Sequence, residues 1–302
     1  MPDPLLYLQA MGAAATASMI ILLAILAVRP PAGTTRGNTA AVLGMGSGLV
    51  AGYSALALQL AWPPAGSLDR LLTIIIPMAV GIELMAGIHR FPRVVGWLLR
   101  VCLAAISPRI LLHGSVYLRG ADRDWALWQV HAAMIVSGAL LVGLWGALSW
   151  LSRRSSGVSI PLSLALATQS AGVTVMLAGY LKGGAAALPL VSALAATALG
   201  IRVAARRFQN PSNVDMTAII GIGAVGLFGV LFVGRFFGRL STPCAVSILL
   251  APLLCWVTEA PVLRQRAPWI VGSVRLGLVA IPLLIILALA KVAFDRDMGP
   301  LL

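Results

Sequence analysis

Ten apolar runs, each near the length of a membrane-crossing helix, constrain this chain more than any other feature. A helix needs about twenty predominantly apolar residues to cover the hydrocarbon core of a bilayer. Such runs occupy 5–28, 39–61, 71–88, 94–113, 126–151, 159–181, 185–204, 216–234, 242–258 and 270–293. The linkers between them are short and carry Pro, Gly and charge, as at 29–37, 62–67 and 205–213. None is long enough to hold a separate soluble domain. The expectation is an all-α polytopic integral membrane protein of about ten transmembrane helices, forming a single transmembrane domain over residues 1–302.

Composition supports lipid as the solvent. Hydrophobic residues make up 60% of the chain and charged residues 10%, and mean hydropathy is +0.96. A soluble fold is nearer a quarter charged, and one this poor in charge would expose large apolar patches. The net charge of +13 does not point to nucleic acid, because the basic residues sit in small groups between apolar runs and form no stripe. Arginine supplies twenty of the twenty-two basic residues, a bias that leans toward a bacterial origin. The first eleven residues have no basic stretch, and the run after them lacks a small-residue cleavage site, so it reads as a retained helix. The three cysteines, Cys102, Cys244 and Cys255, all lie in apolar runs and suggest neither a disulfide framework nor a metal site. Cys244 and Cys255 are eleven residues apart, which on one α-helix would put them on a shared face.

Orientation follows from basic residues near helix ends. With the N-terminus outside, twelve arginines fall on the inner side, among them Arg153, Arg154, Arg202, Arg206, Arg207, Arg266 and Arg275, against eight basic residues outside. Both termini are then expected outside, in an inner (cytoplasmic) membrane. The fourth run is the weak point of the count. It contains Arg100, Pro108 and Arg109 and reads alternatively as an interfacial helix. An even count permits two halves, 1–152 and 158–302, of opposite orientation, but no matching residues between them support a repeat.

Ionisable and polar groups inside the runs are the places to look for chemistry. Glu83 is the only acidic residue within an apolar run. It reads either as a proton- or cation-coupled carboxylate or as the ion-pair partner of Arg100. Arg100 itself suits an anionic substrate or lipid headgroup, with pairing to Glu83 favoured. Arg109 lies on the opposite face of that helix, near its outer end. His131 could relay protons or ligate haem, with His113 as the one candidate second ligand, although a hydrogen-bonded structural role is the commoner case. Gln169 and Thr174 either line a substrate path or bridge helices. Trp125 and Trp128 read as interfacial anchors.

The segment Gly221–Gly226 matches GxGxxG, but a dinucleotide fingerprint needs a preceding strand, and this one lies inside a membrane run. Gly221 and Gly226 are read as packing residues. Gly44, Gly48 and Gly52, four apart on one face, are read the same way, with the second span expected at the centre of the bundle. No enzyme signature, metal site or cofactor motif is present.

Three functions fit these residues. The first is a small-solute permease, supported by Glu83, Gln169 and the prolines at 77, 108, 161, 189 and 282. The second is a non-catalytic membrane subunit or scaffold, working through a protein partner or as a homo-oligomer in the lipid bilayer. The third is a membrane redox or haem-associated protein.

Overall fold

The computed structural model describes residues 4–28, 34–58, 60–88, 92–118, 126–155, 157–207, 216–260, 263 and 266–298. Trp125 lies outside the described residues, as do Arg29, Arg90, Arg119, Arg123 and Arg264, five of the basic residues counted near helix ends, and most of the 205–213 linker.

The described residues are predominantly helical and contain no strand. Ten helical segments coincide with the ten apolar runs: α1 (Pro4–Val28), α2 (Thr34–Ala55), a composite α3, α4 (Arg93–Leu112), α5 (Leu127–Arg154), α6 (Ser159–Leu177), α7 (Ala187–Arg207, preceded by the turn Leu181–Ala185), α8 (Thr217–Phe237), a composite α9, and α10 (Pro268–Met298). Eight of them are long and apolar enough to cross a membrane. The fourth run is among the eight, as the continuous helix Arg93–Leu112. The two outside that set are α2 and α3. The first is diluted by polar residues and glycine in its opening turns, and the second is interrupted.

The interruptions have local causes. Helix α3 runs Ser67–Arg70, then a π-helical stretch Leu71–Ile75, then Ile76–Ala86. Pro77 is the second residue after the π stretch, and it has no N–H to return to a carbonyl one turn earlier. Helix α9 is α-helical over Thr242–Leu250 and becomes a 3-10 helix over Ala251–Glu259, with Pro252 in its first turn. Nine residues is long for that geometry, which seldom persists beyond three or four. The change of pitch also moves Cys255 roughly a quarter turn away from the face of Cys244, so the shared face expected for a single α-helix is lost.

Helix α8 occupies the centre. Every residue from Thr217 to Gly234 is buried, and the helix packs against α2, α3, α5, α6, α7 and α9. This corrects the expectation that the second span is central. Leu43 and Val50 of α2 are exposed, and α2 packs chiefly against α1 and α7. The physical reason lies in how the glycines are distributed. Gly44, Gly48 and Gly52 of α2 lie on one face and only Gly46 turns toward α3, whereas α8 carries Gly221, Gly223, Gly226, Gly229 and Gly234 around its circumference, so neighbours approach from several sides. Lipid supplies no hydrophobic drive between helices, and small residues that allow close approach carry the packing instead.

Candidate functional site

Two places concentrate polar chemistry, and only the first involves the residues singled out from the sequence. Glu83 lies on the buried face of α3 with Ile76, Ala79 and Ile82, and Arg100 on the buried face of α4. Arg100 Nε donates to Glu83 Oε1 at 2.9 Å and Nη2 to Oε2 at 2.7 Å. The pair is parallel and two-pronged, the geometry in which a guanidinium satisfies a carboxylate best. The guanidinium also lies 5.1 Å from the ring centre of Trp97 and 5.8 Å from that of Trp145. Across the interface sits Gly221 of α8, where a Cβ would fall 2.5 Å from Glu83 Oε1 and 2.6 Å from Trp145 Nε1. Glycine here makes room for the pair. Glu83 is 2% exposed and Arg100 7%, and neither lines the cavities described below. The arrangement joins α3, α4, α5 and α8 around one neutralised charge.

The remaining singled-out residues do not join this cluster. Thr174 is buried and donates to Ser170 O of its own helix at 2.7 Å, so its hydroxyl bridges no second helix through that bond. Gln169 is half-buried, with its Oε1 buried and without a hydrogen-bond partner. His131 is exposed, and its Nδ1 lies 2.7 Å from Leu127 O one turn earlier. His113 is exposed at the end of α4, where its carbonyl accepts from Arg70. Arg109 is exposed on the other side of α4 from Arg100, and Trp128 is exposed too. Gly44 faces Leu22 Cβ and Ser18 O at 3.0 Å, Gly48 faces Ser18 Oγ and Ala14 O, and Gly52 faces Pro189 Cβ at 2.6 Å. Gly226 receives Leu190.

The second place is a basic cavity of about 440 Å³ at one end of the bundle. It is built where α5 ends and α6 begins, where α9 ends and α10 begins, and beside Arg202 of α7. Arg154, Arg202, Arg266 and Arg275 line it, with one carboxylate, Glu259. Two helix N-termini, of α6 and α10, open onto it and carry the partial positive charge of unsatisfied backbone N–H groups. Arg275 is the anchor. It is 2% exposed and donates through Nε to Thr258 Oγ1 at 2.6 Å, through Nη1 to Ser159 Oγ at 3.2 Å and through Nη2 to Glu259 Oε1 at 2.9 Å. Arg154 lies 3.8 Å over the ring of Trp150, and Trp150 stacks on Trp256 at 4.5 Å with the planes 4° apart. The stack holds an arginine of α5 at the mouth of a cavity built largely by α6, α9 and α10.

A line of small hydroxyl residues leads inward from this cavity. Ser159, Ser163, Ser170 and Thr174 are spaced by four, seven and four, which keeps them within about 60° on one face of α6. All four are buried. Ser163 Oγ donates to Ser159 O at 2.8 Å and accepts from Cys255 Sγ of the 3-10 stretch at 3.2 Å. Ser170 Oγ is buried with no hydrogen-bond partner.

Sequence reasoning counted the four cavity arginines only as orientation markers. They come from three parts of the chain, the end of α5, α7 and the start of α10, and nothing in their spacing shows that they converge. One signal was available: Arg275 sits inside the tenth apolar run, where a charge needs a partner. Among the described residues no group of three or more His, Cys, Asp or Glu is placed to hold a metal ion. No known protein family and no curated protein matches the chain.

Proposed function

We propose that this protein is a small-solute permease of a bacterial inner membrane, with both termini outside and the basic cavity on the cytoplasmic side. The observation that carries the reading is the basic cavity, whose wall residue Ser159 begins the buried hydroxyl line of α6, beside a helix that has left α geometry. Broken helices and non-helical backbone occur at membrane depth where they line a cavity or path. Here the 3-10 stretch Ala251–Glu259 contributes Thr258 and Glu259 to the cavity and Cys255 to the line above it. The excess of arginine at this end supports a cytoplasmic placement. On this reading the solute follows α6, α9 and α10, and the Glu83–Arg100 pair is a structural lock outside the path.

The test is reconstitution of the purified full chain into proteoliposomes and counterflow of a panel of small labelled solutes. Uptake by the wild-type protein should be lost in Ser170→Leu, which fills the line with a side chain of similar polarity to its surroundings and leaves the cavity intact. A well-folded protein that passes none of the panel, and that leaves the membrane in mild detergent with a stoichiometric partner, would sink the permease and favour a subunit of a larger complex. That second reading draws on an apolar groove of about 750 Å³ formed by α1, α2 and α3, which is lined by Ile21, Leu43 and Val50.

A further inference from the structure

We infer that the basic cavity is a binding site for a phosphate group, held by Arg154, Arg202, Arg266 and Arg275. As the solute of a permease, this anion rests on the reading above. As a ligand it is measured without transport, so either can fail alone.

Charge is the first observation. Four arginines and one glutamate line the cavity, so 4 − 1 leaves three positive charges at neutral pH. The N-termini of α6 (19 residues) and α10 (31 residues) add about half a charge each. A carboxylate brings a single charge and two oxygens. A phosphate monoester brings about −1.5 to −2 and three strong acceptor oxygens, which matches this surplus better.

Donor geometry is the second. A guanidinium has five N–H donors in a fixed fork. Arg275 commits three of them, to Thr258, Ser159 and Glu259, which leaves two on a side chain that lines the cavity. Its orientation is set by those three bonds, so a ligand need not order it. Arg154 is likewise held, by the Trp150–Trp256 stack. Arg202 and Arg266 are exposed on the cavity wall and make no ion pair among the described residues. Arginine is the side chain suited to two-pronged phosphate recognition.

Size is the third. A cavity of about 440 Å³ lies within the range of small-ligand sites and exceeds what a bare phosphate fills. It accommodates a phosphorylated small molecule or the headgroup of an anionic lipid. Trp269, 71% exposed at the rim, sits where interfacial tryptophans sit, so both sources can reach the same site.

The experiment uses the full chain in maltoside micelles, which contain no phosphate. Inorganic phosphate is titrated at constant ionic strength and followed by tryptophan fluorescence and calorimetry. Wild-type protein should bind saturably, and R202Q/R266Q should bind at least about tenfold more weakly, since each loses charge-assisted bonds. Its unliganded unfolding midpoint should be unchanged, because neither arginine is paired in the described structure. Should the double variant fail to fold, R202Q alone carries the same readout at a smaller fold-change. Phosphatidylglycerol is then added to the micelles. Suppression of phosphate binding, with more of the lipid retained by wild type than by the variant, assigns the phosphate to a headgroup. Undiminished phosphate binding assigns it to a soluble ester. The site is overturned if phosphate affinity is the same in the variant and wild type, or if neither phosphate nor the lipid is held in an arginine-dependent way.

Discussion

Glu83 and Arg100, seventeen residues apart on adjacent helices, meet through two parallel hydrogen bonds of 2.9 and 2.7 Å, buried against α5 and α8. Each neutralises a charge that lipid or packed protein would otherwise have to solvate. Removing one partner of such a pair leaves the other uncompensated, at a cost of about 3–5 kcal/mol. Glu83→Gln should therefore lower the denaturation midpoint in detergent by a corresponding amount. Arg100→Gln added to it should cost little more, because the stranded charge is gone. Additive losses, or a Glu83→Gln protein of wild-type stability that no longer transports, would return Glu83 to the solute path.

Two sets of glycines make a paired prediction. A Cβ on Gly48 collides with Ser18 Oγ and lies 2.6 Å from the backbone carbonyl of Ala14, and one on Gly221 lies 2.5 Å from Glu83 Oε1. Nothing lies within 4 Å of a Cβ at Gly81 or Gly143. Gly48→Ala and Gly221→Ala should each destabilise by about 1–3 kcal/mol. Gly81→Ala and Gly143→Ala should be neutral or stabilising by up to about 1 kcal/mol, the helix-propensity gain. Thermal unfolding of the four variants in one detergent decides it, and equal effects across the set would refute the packing account.

Arg275 makes its three contacts in three directions. A lysine ammonium keeps the charge and loses the planar fork. Arg275→Lys should therefore behave much like Arg275→Gln in stability, with both below wild type by roughly 2 kcal/mol or more, since buried acceptors are left unsatisfied. Full rescue by lysine would mean that charge alone matters at this position.

Orientation can be read directly. In a background with Cys102, Cys244 and Cys255 replaced, a cysteine at the exposed position 202 should react with a membrane-impermeant maleimide in inverted vesicles and not in intact cells. A cysteine at exposed position 113, at the opposite end of its helix from Arg93, should show the reverse. The opposite pattern at both positions would invert the topology.

Much of the helix inventory could be read from the chain alone. Each segment's run of apolar residues is a local property, and the cost of leaving backbone polar groups unpaired in lipid forces such a run into a helix. The runs therefore appear as the ten helical segments, including the fourth, where Arg100 and Pro108 made the reading ambiguous. The interruptions were half visible: Pro77 and Pro252 mark where they occur, but not that one becomes a π stretch and the other nine residues of 3-10 helix. The pairing of Glu83 with Arg100 was legible because adjacent helices and a scarcity of carboxylates leave few partners. What the tertiary structure alone decided is how distant helices are rotated against one another. That rotation puts α8 at the centre and α2 at the side, and turns His131 and Arg109 outward. It also brings Arg154, Arg202, Arg266 and Arg275 from three parts of the chain to one cavity. Convergence of this kind depends on side-chain packing between helices more than a hundred residues apart, and no periodicity along a single strand of sequence encodes it.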